Sequence, residues 1–140
     1  MEEEKILVLD ASVAVKWFNV ESLRKEALTI RSKYANGEID LIAPDLLHYE
    51  VANALRYNPR FGIEDVKTAL KALQDMSITT YEFKGELLER AVELAYKFGI
   101  TLYDAVYVSL AVLQNATLYT ADKEVVAKVP LTNVKHLSEV

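Results

Sequence analysis

Two short apolar runs, each closed by an aspartate, constrain the fold of this chain more than any other feature: Lys5-Ile6-Leu7-Val8-Leu9-Asp10 and Thr117-Leu118-Tyr119-Thr120-Ala121-Asp122. A continuous apolar run of this length with β-branched residues predicts a strand, and the first has the form of one buried on both faces in a parallel sheet. Between them the pattern alternates. From Ser22, residues Leu23, Ala27, Ile30 and Tyr34 recur at helical spacing until Asn36-Gly37 ends the helix. Residues 39–43 read as a second strand, after which Pro44-Asp45 opens a helix to about Tyr57, stopped by Asn58-Pro59. Residues 63–76 predict an amphipathic helix with Val66, Leu70 and Leu73 on one face, residues 77–83 alternate like a strand, and residues 86–98 are again helical up to Gly99. Residues 102–113 are apolar on every side apart from Asp104 and Ser109, which predicts a central helix packed on more than one surface. A short helix and a last strand near residues 134–137 follow the strand that ends at Asp122. Such alternation argues for an α/β fold, a parallel sheet with helices on both faces whose ligands bind beyond the carboxyl ends of the strands. Asp10 and Asp122 both lie there. Residues 58–62 are expected to be a mobile loop between helices.

The chain has 140 residues, 51% of them apolar, enough for one domain with a substantial core. It has no cysteine, which removes disulfides and thiolate metal sites and suits a reducing interior, so the expected location is cytoplasmic. The start, Met-Glu-Glu-Glu-Lys, is acidic where a signal peptide needs a basic region, and no apolar run approaches the roughly 18 residues of a membrane span. The formal charge of −5 sits awkwardly with handling a polyanion, whose affinity comes largely from Lys and Arg at phosphates.

Most of the 21 acidic residues lie beside Lys or Arg on exposed helix faces, as Glu86, Glu89 and Glu93 do around Arg90 and Lys97, and solvation accounts for them. Four do not fit. Asp10 is the only charge between Ile6 and Val15, and Asp104 the only one between Ile100 and Leu113. Asp122 directly follows an apolar strand, and Glu50 lies between Tyr49 and Val51 with Ala54 a turn later. A carboxylate withdrawn from water pairs with a cation, caps a helix or takes up a proton. Taken singly, Asp104 could cap its own helix and Asp10 and Asp122 could be turn residues. One site for a divalent cation explains them together, because Mg²⁺ and Mn²⁺ prefer hard oxygen ligands. Without the cation, such a cluster should raise the pKa of at least one member. Bound cations would also invert the local potential and bring the remaining charge near balance.

In order and context these residues resemble the PIN-domain nucleases, and within them the VapC-type toxins of toxin–antitoxin pairs. Leu9-Asp10-Ala11-Ser12-Val13 looks like that family's opening motif, and Tyr49-Glu50-Val51-Ala52-Asn53-Ala54-Leu55 like its glutamate helix. Tyr103-Asp104-Ala105-Val106-Tyr107-Val108-Ser109-Leu110-Ala111 and Tyr119-Thr120-Ala121-Asp122-Lys123 are similar to its third and fourth motifs. The resemblance implies one PIN-like domain over residues 1–140, a three-layer α/β/α sandwich with a central, mostly parallel sheet of four to five strands. It makes Asp10, Glu50, Asp104 and Asp122 the catalytic and metal-binding quartet for Mg²⁺ or Mn²⁺. Ser12 and Thr120 match the family's hydroxyl positions, expected to orient the carboxylates or a metal-bound water, and Asn53 shares a face with Glu50, which it would support through a hydrogen bond.

The activity implied is metal-dependent endonucleolytic cleavage of RNA, leaving 5′-phosphate and 3′-hydroxyl ends, by a homodimer whose small antitoxin blocks the acidic site. Lys16, Arg56, Arg60 and Lys123 are the candidate RNA contacts. Glu124 reads as a solvated helix start, and His48 and His136 as structural or surface residues. A phosphoryl-transfer domain of receiver or phosphatase type fits poorly, since Asp10 is followed by Ala11 and Ser12 rather than by a second acid. A catalytically silent PIN-like module that binds RNA or protein is the remaining alternative.

Overall fold

The computed structural model describes residues 5–140; the acidic start of residues 1–4 lies outside the described residues. In chain order the elements are β1 (Ile6–Leu9), α1 (Ala11–Phe18), α2 (Arg24–Ala35), β2 (Asp40–Pro44), α3 (Leu46–Arg56), α4 (Ile63–Asp75), β3 (Thr79–Tyr81), α5 (Gly85–Phe98), α6 (Leu102–Leu113), β4 (Thr117–Thr120), α7 (Lys123–Lys128) and β5 (Val134–His136), closed by a 3₁₀ turn at Leu137–Glu139. The strands form one sheet in the order β3-β2-β1-β4-β5, parallel throughout.

Side chains alternate across the sheet and divide the core in two. Leu7, Leu9, Leu41, Ala43 and Tyr119 face a cluster with α1 to α4. Val8, Ile42 and Leu118 face the other, built by α5, α6 and α7. The result is the expected α/β/α sandwich. Connections from β1 to β2 to β3 run outward one way with helices on the first face, and the chain then crosses back to β4 and β5 with helices on the second. Right-handed crossovers require this change of face when the direction of winding reverses. The reversal falls between β1 and β4, and the helices that leave these two strands diverge to open a crevice at their carboxyl ends.

Helix α1 was not expected. Its sequence, Ala-Ser-Val-Ala-Val-Lys-Trp-Phe, is β-branched and apolar, and Ala11, Val13, Ala14, Lys16 and Trp17 are all buried, so no polar face betrays its period. Tertiary contacts hold it: Trp17 Nε1 donates to the Ala27 carbonyl at 2.8 Å, while Arg24 donates to the carbonyls of Lys16 (3.0 Å) and Trp17 (3.2 Å) at its C-terminal end. Four smaller differences concern three boundaries and a loop. Helix α2 starts at Arg24, β2 extends through Pro44, and β3 is only three residues long. The 58–62 loop is tied down, with Asn58 Nδ2 donating to Asn19 Oδ1 at 3.0 Å, the Asn58 side chain accepting from the Arg60 amide, and Phe61 packed on the core. Among the described residues no single helix is long and apolar enough to cross a membrane.

Candidate active site

Asp10 follows β1 directly and lies at the base of the crevice, partly buried. Its Oδ2 accepts from Ser12 Oγ at 2.5 Å and from Thr120 Oγ1 at 2.7 Å. The two hydroxyls are themselves fixed, Ser12 Oγ accepting from the Ala121 amide and Thr120 Oγ1 from the Asp122 amide, each at 3.1 Å. This clasp joins the ends of β1 and β4, orients Asp10 through one oxygen and leaves Oδ1 outside it. Burial pushes the Asp10 carboxyl above its ordinary range; the Ser12 and Thr120 hydroxyls hold it back, and the charge of Asp104 adds to the push.

The other acids come from different elements. Glu50 projects from the middle of α3, half-buried, and burial raises its pKa; the Tyr107 hydroxyl opposes the rise, while the charges of Asp10 and Asp104 add to it. Asp104 lies in the first turn of α6, also raised by burial, then by Asp122 and Glu124, with Thr101 and Lys128 pulling it back. Asp104 does not cap α6. Thr101 is the cap, its Oγ1 accepting from the Asp104 amide at 3.1 Å. Exposed Asp122 does cap a helix, α7, with Oδ1 accepting from the amides of Glu124 (2.9 Å) and Val125 (3.4 Å).

The donor set is entirely hard oxygen, and the members repel one another across the crevice, an arrangement a divalent cation would relieve. Among the described residues no three His, Asp or Glu side chains are already drawn together about one point. The residues therefore suit such an ion in chemistry and in the repulsion among them.

Two expected helpers are placed differently. Asn53 is exposed, and among the described residues its side chain makes no hydrogen bond to Glu50. Lys16 is 6% exposed and its Nζ is paired with Glu21 Oε1 at 2.9 Å, so it offers no free charge to a phosphate. Arg56, Arg60 and Lys123 are exposed, Arg56 lying over the Tyr57 ring at 5.3 Å. Glu124 is exposed at the start of α7, held below its ordinary carboxyl range by Lys128 at 2.8 Å. His48 borders a hollow beside α4 with Leu70 and Gln74. His136 is nearer the site than its place in the chain suggests, in register with Thr120 on the neighbouring strand, but its Nδ1 is engaged by the Ser138 backbone amide and hydroxyl.

Three tyrosines escaped the sequence reading. Tyr107 is buried one turn after Asp104 and touches the electrostatics of both Glu50 and Asp10. Tyr49 and Tyr103, 76% and 61% exposed, immediately precede Glu50 and Asp104 and line a mainly apolar hollow of about 200 Å³ with Phe83 and Leu102. Their signal was available, an aromatic next to each of two unexplained acids. Larger hollows lie elsewhere, along α2 and beside His48, away from the four acids.

A family model described as PIN domain matches residues 7–130. Ribonuclease VapC3 of Pyrobaculum aerophilum is 31% identical over 129 residues, spanning 89% of this chain and 95% of that protein. Ribonuclease VapC9 of Mycobacterium tuberculosis is 36% identical over 85 residues, 59% of this chain and 65% of its own. Among solved structures, a toxin–antitoxin complex from Klebsiella pneumoniae superposes with a TM-score of 0.67 over 93% of this chain and 94% of the matched one, at 18% identity, a likeness of fold alone. The match of sequence runs along nearly the whole chain and accords with the likeness of fold: the chain belongs to the PIN domain family.

Proposed function

We propose that this protein is a divalent-metal-dependent endoribonuclease, the toxin of a toxin–antitoxin pair. The observation that carries the reading is the clasped Asp10 at the β1/β4 reversal, facing acids from α3 and α6 that are raised by burial and mutual repulsion. Ribonuclease relatives that align over most of the chain support the reaction class.

Mg²⁺ or Mn²⁺ would be held by Asp10, Glu50, Asp104 and Asp122. When bound, such an ion supplies an activated water and charge stabilisation at the scissile phosphate. The chain's own contribution is orientation. Ser12 and Thr120 fix Asp10, the α7 cap fixes Asp122, and the Thr101-capped start of α6 fixes Asp104.

RNA affinity in an acidic protein needs sources besides cations. Arg56, Arg60 and Lys123 supply the remaining phosphate contacts, and the open faces of Tyr49 and Tyr103 suit stacking of unpaired bases beside the acids, each worth roughly 1–3 kcal/mol. The acidic crevice also suits the basic segment of a small antitoxin, an assembly of the kind in the Klebsiella complex. We place the protein in the cytoplasm, as suits a cysteine-free chain, and infer a homodimer from the resemblance to the VapC-type toxins.

The test is cleavage of a labelled RNA pool by folded wild type and Asp104→Asn with Mg²⁺, Mn²⁺ or EDTA. Metal-dependent cutting that is lost in the variant is the expected result. No cutting by wild type across varied RNAs would replace the enzyme with a silent binding module.

A further inference from the structure

The Tyr107 hydroxyl has no ordinary structural explanation. Its residue is 2% exposed on α6, and the hydroxyl oxygen is buried without a partner at hydrogen-bond geometry. Buried hydroxyls are nearly always paired, because an unpaired one has lost water and gained nothing. Phenylalanine would fill the same space without that cost.

The polar groups that act on this oxygen are the carboxylates of Asp10 and Glu50 and the backbone amide of Ala11. Burial pushes the phenol away from ionisation, Asp10 and Glu50 add to that push, and the phenol in turn favours the charged form of Glu50. The charges of Asp10 and Asp104 also act on Glu50, so the three acids and the phenol share one electrostatic neighbourhood. Ser109, two residues further along α6, is also buried without a partner but is not among the groups that act on the acids.

We propose that the Tyr107 hydroxyl is a positioning donor for Glu50, waiting in the apolar wall and donating to the carboxylate when a divalent cation draws the acids together. The inference rests on the metal-dependent reading above. It turns a local cost in the metal-free chain into a preformed hydrogen bond for the loaded site, of the kind that typically changes metal affinity 10- to 100-fold, roughly, when removed.

Wild type, Tyr107→Phe and Ser109→Ala should be compared by thermal melting in EDTA and by calorimetric titration with Mn²⁺. Tyr107→Phe is expected to melt no lower than wild type and to bind Mn²⁺ about tenfold more weakly. Ser109→Ala should also melt no lower but keep wild-type affinity. In a Glu50→Gln background, adding Tyr107→Phe should cost no further affinity, since the acceptor charge is gone. Wild-type Mn²⁺ affinity in Tyr107→Phe, or full additivity with Glu50→Gln, would overturn the assignment. Absence of Mn²⁺ binding by wild type itself would instead remove the metal reading beneath it.

Discussion

Asp10 and Asp122 each follow a central strand and occupy the N-cap position of the next helix in extended backbone, with φ, ψ of −86°, 147° and −85°, 103°. Only Asp122 caps. Its carboxylate satisfies two amides of α7, whereas that of Asp10 makes no cap bond to α1 and is turned instead toward Ser12 and Thr120. Forgoing a cap costs about 1 kcal/mol, and burial of the charge adds to that cost. One position in the βα unit thus serves stability at the exposed rim and orientation at the base of the crevice. Local rules are broken at functional sites more than elsewhere.

The largest expected effect tests the unstable partner of this pair. Asp10→Asn should lower cleavage on the order of 10²- to 10³-fold, the scale of a lost preorganised electrostatic group, without lowering the melting temperature of the metal-free protein. A clear drop in melting temperature would make Asp10 a structural residue and dissolve the contrast. Next come the clasp hydroxyls: Ser12→Ala and Thr120→Val should each weaken Mn²⁺ binding by roughly 10- to 100-fold. Carboxyl-resolved NMR titration should also find Asp10 moved further upward in both, since these hydroxyls hold it down.

At Asp122 the comparison sharpens. Asp122→Ala should cost about 1 kcal/mol in denaturant unfolding, and Asp122→Asn close to nothing, because asparagine caps as well as aspartate. Equal losses in the two variants would mean that the charge, not the cap, stabilises α7. The smallest effect is on pH dependence. Asp10, Glu50 and Asp104 bind protons more tightly folded than unfolded. Their ionisation therefore subtracts stability at pH above their raised values, and the loss is relieved as pH falls through those values toward the ordinary carboxyl range. Melting of the metal-free protein should accordingly be higher at mildly acidic than at neutral pH, with saturating Mn²⁺ reducing the difference.

The acids stood out in the sequence because a charge inside an apolar strand end or helix has few explanations, and the strands were legible because buried parallel strands are continuous apolar runs. What escaped depends on contacts far along the chain or on a face without contrast. Helix α1 carries no polar stripe, and its Lys16 is hidden by an ion pair across a loop to Glu21. Asp104 reads as a possible cap of its own helix, and the backbone gives that place to Thr101 instead. Tyr107 reads as one more core aromatic until the direction of its oxygen is known.

The clasp also says when the site can exist. Thr120 holds Asp10 across 110 residues of chain, so β1, β2 and β3 can pair while the crevice is still missing one wall. Contacts of such long sequence separation form slowly and late relative to local ones. During synthesis Asp10 precedes Thr120 and stays without its threonine until β4 docks beside β1. A chain that ends before β4 lacks both Thr120 and Asp122 and presents Asp10 without its clasp.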